Sequence, residues 1–95
     1  MFRINKVFEN PLTYIYKVEG EITQSNLSDW AEEVNNLLKL TERQIILELC
    51  EVSYMCPNSV EFLIQRLTGN IYLFNCPIFV KNMLKTAGRS ANVLE

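Results

Sequence analysis

Residues 43–67, which read RQIILELCEVSYMCPNSVEFLIQRL, contain the pattern that decides the fold. The run at 44–49 is apolar and rich in β-branched residues, which predicts a half-buried or central strand. Residues 51–55 are expected to carry the chain over the end of that strand. Pro57 suits the first position of a helix, because its fixed φ and its missing N–H cost nothing there.

The helix predicted after Pro57 has a single apolar face. Val60, Leu63, Ile64 and Leu67 recur at the i, i+3, i+4, i+7 spacing of such a face. Gly69 is expected to end the helix. A strand that leads directly into a helix brings the unpartnered N–H groups of the helix N-terminus to one edge of a sheet. The sequence therefore predicts a functional site at or beside residues 55–59.

Two strands precede this unit. Residues 2–8 alternate in part, with Phe2, Ile4 and Phe8 on one face, and they predict a strand at the edge of a sheet. Residues 13–19 are mostly β-branched and aromatic, which is typical of a strand. The Asn-Pro turn at 10–11 between the two segments predicts an antiparallel hairpin.

The remaining elements are two helices and one strand. Helix one is predicted from an apolar stripe of six residues: Leu27, Trp30, Ala31, Val34, Leu37 and Leu38. A strand at 71–74 leads to a third helix, with Pro77 in its first turn and Gly88 at its end. The stripe predicted to be buried on helix three consists of Val80, Met83, Leu84 and Ala87.

This order predicts a single α/β domain over residues 1–95. Strands that alternate with helices favour parallel pairing, and right-handed crossovers in one direction place their helices on the same face. We expect a four-stranded mixed sheet in the order 1-2-3-4, with the first strand antiparallel and about three helices on one face. Residues 89–95 are expected to form a loose tail, with at most a short extended piece at 92–94.

The composition excludes several classes of protein. Of the 95 residues, 48% are hydrophobic and 21% are charged, which describes an ordinary globular domain. The net charge of −2 argues against nucleic acid as a partner. No apolar run approaches the ~20 residues that span a bilayer, and the N-terminus lacks the apolar region of a signal peptide. We therefore expect a cytoplasmic protein with no membrane partner.

The residues that usually carry catalysis are scarce. The chain has no histidine, which removes the commonest general base and the commonest metal ligand. Cys50, Cys56 and Cys76 are spaced neither for zinc nor for a disulfide framework. The acids Asp29 and Glu32–Glu33 lie on the polar face of helix one, which favours a solvated surface over an acid–base pair. We therefore expect no enzyme activity, no metal and no cofactor.

Four segments resemble the STAS domain, the fold of bacterial anti-sigma factor antagonists and of the cytoplasmic tails of sulfate transporters. They are VEGEI at 18–22, IILELCEVSYM at 45–55, SVEFL at 59–63 and NCPIFV at 75–80. The resemblance extends over about residues 2–88. It implies a protein-interaction module in bacterial signal transduction and transcription regulation, whose partner is an anti-sigma factor or a kinase-like regulator.

The family's phosphorylation loop, Asp-Ser-Ser-Gly, falls on residues 56–59, which here read Cys-Pro-Asn-Ser. Asn58 stands where the family has its phosphoacceptor serine, and it has no hydroxyl group. The resemblance therefore implies a partner-binding surface without the usual switch, and Ser59 is the nearest hydroxyl that phosphorylation could use. The residues assigned to this surface are Met55, Cys56, Pro57, Asn58, Ser59 and Phe62.

Two other functions use the same helix end. The sequence Cys56-Pro57-Asn58-Ser59 resembles a one-thiol redox motif, and a helix N-terminus stabilises a thiolate. A small anion or a nucleotide could also bind the N–H groups there, although the chain has no Gly-x-x-x-x-Gly-Lys loop. The sequence does not decide the oligomeric state, and a dimer remains open.

Overall fold

The chain forms one sheet and three helices in a computed structural model that describes residues 1–40, 42–67, 70–88 and 92–94. The strands are β1 (Phe2–Glu9), β2 (Thr13–Ile22), β3 (Gln44–Met55), β4 (Ile71–Phe74) and β5 (Val93–Leu94). The helices are α1 (Leu27–Leu38), α2 (Pro57–Arg66) and α3 (Ile78–Thr86). The sheet order is β1-β2-β3-β4-β5, with β1 antiparallel to β2 and the other neighbours parallel.

This topology confirms the mixed sheet, but the prediction of four strands is wrong. The fifth strand lies within the segment that was expected to be a loose tail. Val93 and Leu94 pair with Leu73 and Phe74, and the Asn92 side chain donates a hydrogen bond of 2.8 Å to the Ile71 carbonyl. Residues 89–91 and 95, like the predicted helix end at Gly69, lie outside the described residues.

Strand β3 is longer than the sequence predicts. Residues 51–55 were expected to leave the sheet, yet β3 extends to Met55, with two register shifts in its pairing with β2. Its second half stays in the sheet because it pairs with the end of β2, where Gly20 lies beside Val52 and Ile22 beside Met55. The site therefore lies directly beyond a long central strand.

The three helices cover one face of the sheet. Ile45, Leu47 and Leu73 on that face are at most 2% exposed. They belong to one hydrophobic cluster with the helix residues Trp30, Val34, Leu37, Val60, Leu63, Ile64, Val80 and Leu84. The helical stripes predicted for α1 and α2 are thus confirmed in their main residues. Among the described residues, no helix is long and apolar enough to cross a membrane.

Helix α3 differs from its prediction at both ends. It begins at Ile78, so Pro77 is the residue before the helix and does not lie in its first turn. It ends at Thr86, and Ala87, which was predicted to be buried, is exposed. Gly88 has a φ of +73°, which fits its predicted position after the helix.

A bulge places Phe8 on the face opposite to the predicted one. The pairing of β1 with β2 shifts between Lys6 and Phe8, so Val7 is an extra residue. An extra residue reverses the alternation of the side chains that follow. Phe2 and Ile4 therefore face the helices, whereas Phe8 lies beside Ile15 on the uncovered face and is 47% exposed.

Charged side chains hold the hairpin to the start of β3. The Glu9 carboxylate accepts hydrogen bonds from Lys6, at 2.7 Å, and from Arg43. The Arg43 guanidinium also lies over the ring of Tyr14, 4.4 Å from the centroid. These bonds, that of Lys6 first, lower the pKa of Glu9 below its ordinary 4.5. The contribution of Glu9 to stability is therefore present at neutral pH and is lost as the pH falls through this lowered pKa.

Gly20 is required where β2 passes the start of β1. Its φ is +96°, and a Cβ atom there would lie 2.3 Å from the Met1 carbonyl oxygen. That oxygen accepts a hydrogen bond of 3.1 Å from the Glu21 N–H. Both the backbone conformation and the close approach exclude a side chain.

We predict that Gly20→Ala lowers the free energy of unfolding by about 1–3 kcal/mol or more, because it adds backbone strain and a clash with backbone. Urea denaturation measures this value. The matched control is Gly88→Ala: Gly88 also has a positive φ, but a Cβ added there would meet nothing within 4 Å beyond its chain neighbours. The control should cost only the backbone strain of a left-handed alanine, about 1–2 kcal/mol. Equal losses for the two variants would contradict the importance of the close approach.

Candidate functional site

The junction between β3 and α2 is clamped to the end of β2. The Cys56 N–H donates a hydrogen bond of 2.8 Å to the Ile22 carbonyl. Cys56 has extended backbone angles, and Pro57 begins α2, as predicted from its fixed φ. Met55 and Cys56 are only 2% and 3% exposed. The side chains of Met55 and Cys56, at which the chain turns from strand to helix, therefore lie in the core.

Ser59 ties the first turn of α2 to α1. Its side chain is fully buried, and its hydroxyl donates a hydrogen bond of 2.6 Å to the Cys56 carbonyl. Its own carbonyl accepts a bond of 3.1 Å from the indole Nε1 of Trp30, which is also fully buried. The edge-to-face contact of Trp30 with Phe2, at 5.7 Å between ring centroids, connects the same residue to β1.

The outer side of α2 presents the accessible residues of the site. Pro57, Asn58 and Glu61 are exposed, and Phe62 is half-buried. The Arg66 guanidinium lies 3.5 Å from the centroid of the Phe62 ring. Its Nε donates a bond of 3.2 Å to the Asn35 side chain on α1. We call the set Pro57, Asn58, Glu61, Phe62 and Arg66 the α2 surface.

The six residues predicted for partner binding divide into two groups. Met55, Cys56 and Ser59 lie in the core, so in this conformation a partner can reach only Pro57, Asn58 and Phe62 among them. The sequence analysis missed Glu61 and Arg66. The signal for Arg66 was present, since an aromatic ring and a cation four residues apart on a helix lie on the same side.

The burial of Ser59 bears on phosphorylation. The hydroxyl has no exposed surface and already donates to a carbonyl in its own helical turn. A kinase would have to open the first turn of α2 to reach it. The geometry therefore disfavours Ser59 as an acceptor.

The same turn offers little to an anion. Pro57 has no N–H, and the N–H groups of Ser59 and Val60 both donate to the Cys56 carbonyl, at 3.0 and 3.3 Å. Among the described residues, this leaves the Asn58 N–H as the amide of the first turn without a partner. A phosphate site at a helix end uses several such amides. The arrangement therefore gives little support to anion or nucleotide binding.

The thiols are placed unfavourably for redox chemistry. Cys56 and Cys76 are buried and Cys50 is exposed, on β3. The Cys50 thiol donates a hydrogen bond of 2.8 Å to the Glu48 carboxylate. This bond is the main cause that raises the pKa of Cys50 and disfavours the reactive thiolate. Within the described part of the chain, no three His, Cys, Asp or Glu side chains come together as a metal site.

The comparisons with known proteins identify solved structures that share the fold of this chain. No protein-family model matches the chain, and no curated protein matches it in sequence. Solved structures match over nearly all of its length. SpoIIAA, an anti-sigma factor antagonist, matches in its unphosphorylated form with a TM-score of 0.70 and 16% identity, over 99% of this chain and 86% of that one.

Two further structures agree. The phosphorylated form of SpoIIAA, a Bacillus cell fate determinant, matches with a TM-score of 0.72 and 15% identity, over 99% of this chain and 89% of that one. An anti-sigma factor antagonist from Mycobacterium paratuberculosis matches with a TM-score of 0.74 and 9% identity, over 98% and 83%. At these identities the similarity shows the fold.

We predict that a thiol reagent such as DTNB, at pH 8, reacts with a single cysteine of the folded protein and with all three in urea. The single thiol is Cys50, so Cys50→Ser should abolish the reaction of the folded protein. Glu48→Gln should speed the reaction of Cys50, because it replaces the charged acceptor that raises the pKa of that thiol with a neutral, weaker one. Rapid reaction of Cys56 in the folded protein would contradict the burial of this residue at the β3–α2 junction.

Proposed function

We propose that this chain, which has the fold of the anti-sigma factor antagonists, is a non-catalytic, regulatory protein-interaction module of STAS type. It works by docking the α2 surface onto an anti-sigma factor or a kinase-like regulator. The observation that carries the proposal is the exposed rim of the β3–α2 junction, at Pro57 and Asn58, on a first turn that is otherwise buried.

The chemistry of the α2 surface supports docking. Aromatic and arginine side chains supply many of the strongest contacts in protein interfaces. Here the Arg66 guanidinium is held both by the Phe62 ring and by Asn35 before any partner arrives. A side chain that is already held in place loses less entropy on binding. The α2 surface is therefore preorganised for binding a protein partner.

The choice of partner rests on the fold. The matching structures include proteins named as anti-sigma factor antagonists, and a domain of this fold with an accessible α2 surface is suited to the same class of partner. We place the protein in the bacterial cytoplasm, where its three cysteines, which form no disulfide, would stay reduced.

We further propose that the docking is constitutive. One of the matching structures is a phosphorylated form, whereas Asn58 of this chain offers no hydroxyl and the Ser59 hydroxyl is buried. A phosphate would add a charge of about −1.5 to −2 at the start of α2. Without an acceptor, the α2 surface keeps its neutral rim and stays available.

The experiment measures binding to purified anti-sigma factor kinases from the same genome by isothermal titration calorimetry. We predict that at least one of them binds, and that Asn58→Glu weakens its binding at least tenfold. A charge placed at the rim mimics the electrostatic effect of a phosphate. The fold should tolerate the change, because a carboxylate in the first turn of a helix interacts favourably with the helix dipole.

The matched control is Asn36→Glu, the same change at an exposed position of α1, which should bind as the wild type does. If no kinase binds, or if both variants bind equally well, the proposed function is wrong. The gain of a phosphoryl group by the wild type in the presence of ATP, seen by intact mass, would contradict constitutive docking.

A further inference from the structure

A groove of about 350 Å³ runs between the first half of β1 and helix α1. Its lining residues are Met1, Phe2, Arg3, Ile4, Asn5, Asn26, Asp29, Glu32 and Glu33. None of them belongs to the α2 surface. The proposed docking of the α2 surface therefore does not account for this groove.

One wall of the groove is the open edge of the sheet. In the part of the chain that the structure describes, β1 is the outermost strand and pairs with β2 on one side. The backbone groups on its other side therefore have no described strand to bond. From Phe2 to Lys6 the pairing with β2 is regular, and the bulge comes only after that. The edge of β1 that borders the groove is therefore free of bulges from Phe2 to Lys6. The half-buried side chains of Phe2 and Ile4, which pack against the core, give it an apolar floor.

The opposite wall is acidic. Asp29, Glu32 and Glu33 are exposed on α1, and none of these carboxylates forms an ion pair with a described residue. Arg3 is the one lysine or arginine among the residues that line the groove. It is already paired with Glu19, at 3.3 Å. The groove therefore combines main-chain hydrogen-bonding groups on one side with three exposed carboxylates, and so a net negative charge, on the other.

We propose that this groove binds an extended, basic segment of a protein partner, which adds to the sheet as a strand beside β1. An added strand bonds to the free main-chain groups of β1, and every second side chain points toward the helix side of the sheet. Lysine or arginine at these positions meets Glu32 and Glu33, and the aliphatic parts of the same side chains cover Phe2 and Ile4. The edge thus provides affinity and the carboxylates select a basic sequence.

A second copy of this chain suits the groove less well. Its β1 strand is extended, but the cations of that strand, Arg3 and Lys6, are already paired with Glu19 and Glu9. Lys81 and Lys85 belong to helix α3 and do not form a strand. The negative charge of the groove therefore favours a basic strand from another protein.

The test uses a synthetic peptide of alternating lysine and valine, titrated into the ¹⁵N-labelled protein and followed by NMR. We expect chemical-shift changes at residues 2–6 and 26–33. In the Glu32→Gln/Glu33→Gln variant the dissociation constant should rise at least about fivefold, since two ion pairs are lost. The control variant Glu42→Gln/Glu51→Gln changes the net charge equally outside the groove and the α2 surface and should bind as the wild type does.

A second peptide separates strand addition from simple charge attraction. It has the same sequence, with methyl groups on alternate backbone nitrogens that remove the donors facing β1, and it should not bind. Equal binding of the two peptides, or shifts centred elsewhere, would overturn the proposal. So would shifts of the groove residues on dilution of the protein alone, which would make a second copy the occupant. These results do not depend on Asn58, so they can fail while the proposed function holds.

Discussion

The hydrogen bond from the Trp30 indole to the Ser59 carbonyl is the contact on which the rest of the site depends. Both residues are fully buried, and they join α1 to the first turn of α2 across a distance of 29 residues in sequence. A hydrogen bond of this kind contributes about 0.5–1.5 kcal/mol to stability. Because Trp30 also packs against Phe2, one side chain sets the position of α2 relative to both α1 and the sheet.

The sequence predicted the elements whose signals are local. Helical stripes such as Val60, Leu63 and Ile64, and the Pro57 helix start, need only neighbouring residues to be recognised. The missed features depend on pairing between distant segments. The bulge at Val7 exists only relative to β2, the extension of β3 to Met55 follows from the length of β2, and the two residues of β5 are too few to show a period.

The sequence predicted where the strand-to-helix junction lies, but not which of its side chains are buried. The stretch 55–59 does form the strand-to-helix junction. The accessibility of its side chains depends on two contacts with other elements. Trp30 bonds to the backbone of Ser59, and Ile22 bonds to the backbone of Cys56. Local spacing could not reveal these contacts. It could have revealed Arg66, whose stacking on Phe62 is a contact within one helix. The result is a first turn in which Ser59 and Val60 are buried and only Pro57 and Asn58 are exposed.

The most direct test of this account is amide hydrogen exchange in the first turn of α2, compared between the wild type and Trp30→Phe. The substitution keeps an aromatic ring and removes the donor to Ser59. The account predicts that the Ser59 and Val60 amides exchange at least tenfold faster, beyond the increase shown by the β3 amides, because the turn is no longer held by α1. An equal change in both regions would show that the turn is rigid without the Trp30 bond, and would contradict the central claim.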